Sequence, residues 1–208
     1  MNLDLIILII AYLGVGAGAV SGVFEARRKD MDIVGATTVA LITALGGGTL
    51  RDMLLGRGPV FWVKEPGYPL VGFGVAILTF YSTRLLKLTA RSILIPDALA
   101  LGVFTVMGAA RALEQGTAVF IAALMGMVTG VFGGVLRDVT CNEIPTIFIK
   151  NTELYATCSF VGAWVYIGLE RAGAQLWVAT VASILVTFAF RIISSRFNWR
   201  LPEPRSQV

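Results

Sequence analysis

The sequence predicts an all-α polytopic membrane protein, with seven transmembrane helices arranged as two inverted three-helix repeats plus a seventh helix. Three observations support this prediction. Of the 208 residues, 56% are hydrophobic and 14% are charged, whereas a soluble domain has about 25% charged residues. The charged residues cluster between apolar stretches, as in helical membrane proteins. A glycine-rich motif with an Arg-Asp pair also occurs twice inside these stretches.

Length and flanking charge set the span boundaries, because helices that are apolar all round have no polar face whose periodicity could mark where they begin and end. The predicted spans cover residues 5–23, 33–55, 68–83, 92–111, 118–138, 153–170 and 176–195. They form a single transmembrane domain, residues 1–200. Within it we expect repeat one at about 5–90, repeat two at about 91–172 and the seventh helix at 176–195, followed by a cytoplasmic tail, 201–208.

The first span is expected to be retained, because it lacks the basic segment of a signal peptide and carries Asp4. Gly14, Gly18 and Gly22 follow at four-residue spacing and share one helix face. Small residues at this spacing let helix backbones approach closely in lipid. We therefore interpret this face as a packing surface, and the charged segment 25–32 after it as a solvated loop.

The second and fifth spans carry the doubled motif. The two copies read Gly46-Gly47-Gly48-Thr49-Leu50-Arg51-Asp52 and Gly133-Gly134-Val135-Leu136-Arg137-Asp138. Glycine weakens a helix by about 1 kcal/mol relative to alanine, and adjacent glycines permit a kink and leave carbonyl groups accessible. In each copy the arginine and the aspartate follow a glycine by four residues, so each charge lies one turn beyond a glycine on the same face.

The two copies align when residue numbers are shifted by 86, and the identities extend beyond the motif. The further matches are Leu13 with Leu99, Gly16 with Gly102, Gly22 with Gly108, Pro59 with Pro145 and Lys64 with Lys150. Each repeat contains three spans, an odd number, so the second copy must have the opposite orientation. Inverted repeats commonly place a substrate or ion path near the bilayer midplane.

An ionised side chain at the bilayer centre costs at least about 2.5–3.5 kcal/mol. We therefore interpret Arg51, Asp52, Arg137 and Asp138 as residues that line or gate a pathway. Asp52 is expected toward the outer mouth and Asp138 toward the cytoplasmic mouth, with each arginine paired to an acid across the repeat interface. The alternative is that Arg51 and Asp52 cap their span at the interface, with the arginine extended to the headgroups.

Four further residues are weaker candidates for lining or gating the pathway: Thr49, Lys64, Asp97 and Lys150. Lys64 and Lys150 are singled out by their matched register. Asp97 follows Pro96 at the expected start of the fourth span, where the helix dipole favours an acid; the functional alternative is a polar group at a pore mouth. Trp62, in the loop after the second span, is expected to be an interfacial aromatic anchor.

The distribution of basic residues predicts the orientation. Twelve Lys and Arg residues lie on one side of the predicted spans and five on the other. By the positive-inside rule the N-terminus faces out and the C-terminus faces the cytoplasm. The net charge of +4 is explained by this topology, so we expect no nucleic-acid partner.

Several kinds of chemistry find no support in the sequence. There is no histidine, and the two cysteines form no metal-binding spacing. Without a nucleophile–base pair we expect neither an enzyme nor a cofactor. A phosphate-binding loop would require a preceding strand in an α/β fold, and none is predicted here.

The doubled motif, within two three-span repeats and a seventh span, resembles the prokaryotic trimeric intracellular cation (TRIC) channels. Related bacterial sequences are labelled glycine transporters. The resemblance implies a homotrimer with one pore per protomer, between the two three-helix bundles, for monovalent cations and chiefly potassium. It also implies helix kinks beside the pore at Gly46, Gly47, Gly48, Gly133 and Gly134. Phe132 stands where the first copy has Gly46, so the second kink is expected to be smaller.

The leading hypothesis is therefore a potassium-permeable channel in the cytoplasmic membrane, in contact with lipids. Asp52 and Asp138 would supply negative charge to the two halves of its path. One alternative is a secondary transporter of a small solute such as glycine. A scaffolding membrane protein is the other, and it predicts that both motifs tolerate conservative substitution.

Overall fold

A computed structural model describes residues 3–83, 88–149 and 154–199 of the chain. Lys150 and the predicted tail 201–208 lie outside these residues. The described chain contains seven long helices and two short helical turns. The helices are α1 (Leu3–Arg28), α2 (Ile33–Leu54), α3 (Phe61–Lys64), α4 (Gly67–Ser82), α5 (Ala90–Glu114), α6 (Val119–Thr140), α7 (Ala156–Arg171) and α8 (Leu176–Arg196), with a 3₁₀ turn at Thr146–Phe148. The prediction of an all-α fold with seven main helices is confirmed.

Five of the described helices, α1, α2, α5, α6 and α8, are long and apolar enough to cross a membrane. Helices α4 and α7 have 16 residues each. At about 1.5 Å per residue they are roughly 24 Å long, which is shorter than a hydrocarbon core of about 30 Å. The two shorter helices are the third members of the two repeats.

Two ion pairs between the repeats show the inverted arrangement. Arg57, just after α2, lies 3.9 Å from Glu114 at the end of α5. Lys29, just after α1, pairs with Glu143, just after α6. The C-terminal ends of α2 and α5 therefore share one side, here named the Asp52 end, and those of α1 and α6 share the other, the Asp138 end. Helices α2 and α6 thus run in opposite directions.

Small residues hold the first repeat together and join it to the second. Helix α1 packs against α2, α4 and α5, and α2 packs against α6. A Cβ atom on Gly22 would lie 2.6 Å from Cα of Ala40, and one on Gly18 would lie 3.0 Å from Cα of Ala44. The first distance is too short for any side chain, and the second is tighter than most real Cβ contacts. The Gly14, Gly18 and Gly22 face is thus the packing surface that its spacing predicts.

The predicted end of the first span and the solvated loop after it are wrong. Helix α1 continues to Arg28, and Glu25 within it is buried. Arg28 Nη1 donates to Glu25 Oε2 at 2.6 Å. Because the two charges pair one turn apart along the same helix, the charged segment can remain helical and partly buried.

The predicted place of Pro96 and Asp97 in the first turn of the fourth span is also wrong. Helix α5 begins at Ala90, after Thr89 donates its backbone N–H to Ser92 Oγ at 3.2 Å. This hydrogen bond to the third helical residue is half of a capping box. Pro96 consequently lies inside the helix, and Asp97 is a side chain of the helix interior and not of its first turn.

Candidate functional site

Helices α2 and α6 cross at Gly47 and Gly133. A Cβ atom on Gly47 would overlap the carbonyl oxygen of Thr129, and one on Gly133 would overlap the carbonyl oxygen of Thr43. Thr43 and Thr129 are themselves counterparts at the 86-residue offset, so the two contacts are reciprocal. Both helices run without interruption through their glycines. The contact that requires glycine here is therefore the close approach of two backbones, and the kinks stay a prediction.

At the Asp52 end, the charged groups of the first motif bond to residues of their own repeat. Arg51 and Asp52 are each 3% exposed. Arg51 Nε donates to Asp52 Oδ1 at 2.8 Å, and Asp52 Oδ2 accepts from the backbone nitrogen of Phe61 at 2.8 Å. The Arg51 guanidinium also lies 5.4 Å from the centre of the Phe61 ring, a cation–π contact. Asp52 therefore anchors the start of α3 while neutralising Arg51.

Aromatic side chains cover this pair; the aromatic cover is formed by Tyr12, Phe61, Trp62 and Tyr68. Trp62 Nε1 donates to Thr49 Oγ1 at 2.9 Å. The ring centres of Phe61 and Tyr68 are 5.2 Å apart, and those of Tyr12 and Tyr68 are 4.8 Å apart. Trp62 is half-buried, and its indole N–H bonds to Thr49; its role as an interfacial anchor stays a prediction.

Gly48 faces the aromatic cover. A Cβ atom on Gly48 would lie 2.5 Å from Cε1 of Phe61, so this position accepts only glycine while the ring stays in place. Gly48 and Thr49 are singled out by the motif, but Phe61 was missed. The available signal was an aromatic pair directly after the motif, between Gly56 and Gly67.

At the Asp138 end, the second motif joins three helices; the Arg137 network consists of Ser21, Asp97, Arg137 and Asp138. Arg137 Nε and Nη2 donate to Asp138 Oδ1 at 2.9 and 2.8 Å. Arg137 Nη1 donates to Asp97 Oδ1 and to Ser21 Oγ, both at 2.6 Å. All four residues are buried. The arginine thus links α6 to α5 and to α1.

Asp138 also holds the chain that follows α6. Its Oδ2 accepts from the backbone nitrogen of Thr146 at 3.1 Å and from Thr146 Oγ1 at 3.2 Å. Asp52 makes the corresponding contact with the start of α3. In both motifs one carboxylate oxygen pairs with the arginine. The other accepts a hydrogen bond from the backbone N–H at the start of a short helical turn.

The pairing predicted across the repeat interface is wrong for the described residues. Arg51 pairs with Asp52 in repeat one, and Arg137 pairs with Asp97 and Asp138 in repeat two. Within the described part of the chain, only the hydroxyl of Ser21 connects Arg137 to the opposite repeat. Adjacent residues at the end of a helix can fold onto each other, which removes the need for a distant acid. The alternative of Arg51 extended to the headgroups does not fit its burial.

A cavity of about 690 Å³ opens beside the Arg137 network at the Asp138 end. Its charged lining residues are Glu25, Arg28, Arg91, Asp97, Arg137, Asp138, Glu143, Arg191 and Arg196. Arginines and carboxylates are nearly balanced, so water and small ions can enter without a strong preference of sign. Lys64, by contrast, is exposed at the end of α3 on the opposite side.

Comparison with known proteins gives concordant matches over nearly the whole chain. The family model described as "Glycine transporter" matches residues 8–84 and 94–171, two segments that begin 86 residues apart. The inner membrane protein YadS of Escherichia coli K12 is 36% identical over 192 residues, covering 91% of this chain and 92% of that protein. A membrane protein of Vibrio cholerae is 37% identical, with coverage of 93% and 81%.

Solved structures with the same fold are TRIC channels. The TRIC orthologue from Rhodobacter sphaeroides is 38% identical with a TM-score of 0.87, covering 93% of this chain and 99% of that chain. A prokaryotic TRIC channel crystallised in 0.5 M KCl is 31% identical with a TM-score of 0.86, and the coverage is 96% and 100%.

Proposed function

We infer the function of this chain from the family to which it belongs, that of the prokaryotic TRIC channels and the related bacterial proteins described as glycine transporters. We propose that the chain is a cation channel of the cytoplasmic membrane that conducts monovalent cations, chiefly potassium. The pore lies within each protomer, between the two inverted repeats. By the positive-inside rule the Asp138 end faces the cytoplasm.

The observation that carries this proposal is the position of the Arg137 network beside the 690 Å³ cavity. Asp97 and Asp138 offer negative charge to an entering cation, whereas Arg137 neutralises both acids and opposes its passage. Rings of charged groups at a constriction set ion selectivity and gating in channels. In this proposal a cation passes only after Arg137 releases Asp97 or Ser21, and we assign the closed form of the inner constriction to these contacts.

From the network, the proposed path runs between the two repeats toward Arg51 and Asp52. The five glycines Gly46, Gly47, Gly48, Gly133 and Gly134 kink these helices when the pore widens. Thr49 holds the aromatic cover at the outer end. Lys64, which is exposed at the end of α3, is assigned to the outer mouth, and Lys150 stays a candidate through its matched register alone.

A homotrimer is the proposed assembly, because the related Rhodobacter sphaeroides protein is described as trimeric. Large apolar side chains are exposed on several of the described helices, among them Leu70 of α4 and Leu185 of α8. These side chains are available to lipid and to neighbouring protomers. Chemical cross-linking of the purified protein in detergent should give a trimer band as its largest product.

Recording from the purified protein in planar bilayers tests the function. Under opposed potassium and sodium gradients we expect cation currents with a reversal potential near that of potassium. Asp97→Asn should change the potassium conductance severalfold, because it removes both a charge beside the cavity and an acid that holds Arg137. Asp30→Asn is the matched control: it removes an acid from the same end, but Asp30 is exposed outside the cavity.

Absence of cation current from folded protein, or equal conductance in the Asp97 and Asp30 variants, would contradict the proposal. Uptake of labelled glycine into liposomes distinguishes the channel from the alternative, a secondary transporter. Saturable glycine uptake without conductance would replace the channel by a transporter. The likeness to solved cation channels along the whole chain favours conduction.

A further inference from the structure

The two ends of the bundle differ although they carry the same motif. At the Asp138 end, Asp97, Arg137 and Asp138 line the 690 Å³ cavity. At the Asp52 end, Arg51 and Asp52 lie beneath the aromatic cover. The counterpart of Phe61 at the 86-residue offset is Ile147, which has neither an aromatic ring nor a stacked arginine. Trp62 corresponds to Phe148, which is aromatic but 68% exposed, whereas Trp62 is half-buried and bonded to Thr49. The asymmetry therefore comes from Phe61 and from the packing of Trp62.

We propose that Phe61 and Trp62 form a removable plug that closes the Asp52 end of the permeation pathway. The plug rests on the proposed function, since it requires a pathway to close. It assigns a gating role to two residues of α3 that the doubled motif does not include.

The plug is seated directly on the motif by four contacts. Asp52 receives the backbone N–H of Phe61, and Thr49 receives the indole N–H of Trp62. Arg51 lies over the Phe61 ring, and Gly48 provides the space that the ring occupies. Each contact joins α3 to a residue of segment 48–52. The conformation of this segment is thereby coupled to the position of the plug.

Helix α3 is short and follows a loosely packed segment, as expected of a segment that moves. The helix is four residues long, and its Phe61 and Trp62 side chains are only half-buried. Gly56 has a φ of +63°, and a Cβ atom on Gly56 or Gly58 would meet nothing within 4 Å. The segment before α3 thus carries backbone freedom and little packing. Two hydrogen bonds and a few ring contacts hold the plug, and such bonds contribute modestly because water can replace them.

The first test measures access to the pathway without measuring current. Leu45 is buried one turn below Thr49, whose hydroxyl bonds to the Leu45 carbonyl oxygen. In a Leu45→Cys protein, a membrane-impermeant thiol reagent is added from the Asp52 end. We expect Phe61→Ala to raise the labelling rate about tenfold or more, because it removes most of the ring that fills this end. The parent without Leu45→Cys gives the background from Cys141 and Cys158.

Two more variants act on the plug by different routes. Gly48→Ala places a methyl group where the Phe61 ring lies and should displace the ring without removing any side chain of the cover. Trp62→Phe keeps an aromatic ring at this position but removes the indole N–H that bonds to Thr49, together with part of the ring, and should give a smaller rise. Phe73→Ala is the matched control, since it removes a phenyl ring from the exposed face of α4.

The second readout is potassium flux into liposomes. Phe61→Ala and Gly48→Ala should increase flux over the parent, whereas Phe73→Ala should leave it unchanged. If folded Gly48→Ala and Phe61→Ala proteins label like Phe73→Ala, the plug is overturned; if Phe61→Ala does not fold, Gly48→Ala and Trp62→Phe decide. If no protein conducts, the proposed function fails, and the labelling alone still decides whether Phe61 and Trp62 close this end.

Discussion

Gly47 of α2 packs against Gly133 of α6 so closely that a Cβ atom on Gly47 would lie 3.4 Å from the backbone nitrogen of Gly133. The same atom would overlap the Thr129 carbonyl oxygen. We expect Gly47→Ala to destabilise the protein by about 1–3 kcal/mol, as is usual for an added methyl group in a packed core. Thermal unfolding in detergent measures this effect.

The control for the crossing is Gly74→Ala on α4. A Cβ atom there would meet nothing within 4 Å, and alanine is favoured over glycine in a helix by about 1 kcal/mol. Gly74→Ala should therefore leave stability unchanged or raise it slightly. Equal losses in the two variants would show that any methyl group on these helices is harmful and that the crossing has no special requirement.

Ser21 is the only hydroxyl through which the Arg137 network reaches the opposite repeat among the described residues. Its Oγ accepts from Arg137 Nη1 at 2.6 Å and is fully buried. Ser21→Ala should lower stability by about 1.5–3 kcal/mol, the usual range for a hydrogen bond to a charged group. Ser82→Ala, which removes an exposed hydroxyl on α4, serves as the comparison. Similar melting curves for both variants would contradict a role of Ser21 in joining the repeats.

The sequence was sufficient to predict the fold class, the two repeats and their inversion, because span length and an 86-residue register do not depend on tertiary contacts. The sequence was not sufficient to predict where α1 ends and where α5 begins. Glu25 and Arg28 are polar in either a loop or a helix, and only their mutual ion pair makes the helical choice favourable. Pro96 was a plausible first-turn residue until the capping contact of Thr89 with Ser92 placed the start earlier.

The candidate site was predicted in part. The motif arginines and aspartates are indeed buried and clustered, as the cost of an isolated charge in lipid requires. Their partners could not be predicted, since Ser21 is 116 residues from Arg137 in sequence and Asp97 is 40 residues from it. Phe61 was missed for a different reason: the aromatic pair between Gly56 and Gly67 is a sequence signal, but aromatic residues in a loop are equally typical of a contact with the membrane interface.

The Lys29–Glu143 ion pair leads to a prediction about pH. The hydrogen bond from Lys29, and after it the Coulomb attraction, holds the pKa of Glu143 below its ordinary value of 4.5. The same bond holds the pKa of Lys29 above 10.5. The contribution of Glu143 is lost as the pH falls through its lowered pKa, and that of Lys29 is lost as the pH rises through its raised pKa.

The stability difference between the parent and Glu143→Gln should therefore be constant between about pH 5 and 10 and vanish in stronger acid. It should also be small and decrease with added salt, because both side chains are solvent-exposed. Melting temperatures across this pH range provide the measurement. A difference that persists unchanged below pH ~3, where the carboxylate is protonated in both states, would show that Glu143 acts through packing.

Cys141, just after α6, should be unreactive in the folded protein. Burial, and after it the nearby Glu25 carboxylate, raises the pKa of Cys141 to about 11, and the thiolate is the reactive form. At pH ~7.5 a thiol reagent should leave Cys141 unmodified until a denaturing detergent is added. Mass spectrometry of the labelled peptide checks this outcome. Rapid native modification would contradict the described burial.

The partners of the two motifs also have consequences for the order of insertion during synthesis. Arg51 and Asp52 find their partners by residue 62, within the same emerging hairpin. Arg137 emerges after Ser21 and Asp97 are already in the membrane. Both partners are therefore in place before the arginine that binds them is made. A circular permutation that placed α6 before α5 would reverse this order for Arg137 and Asp97.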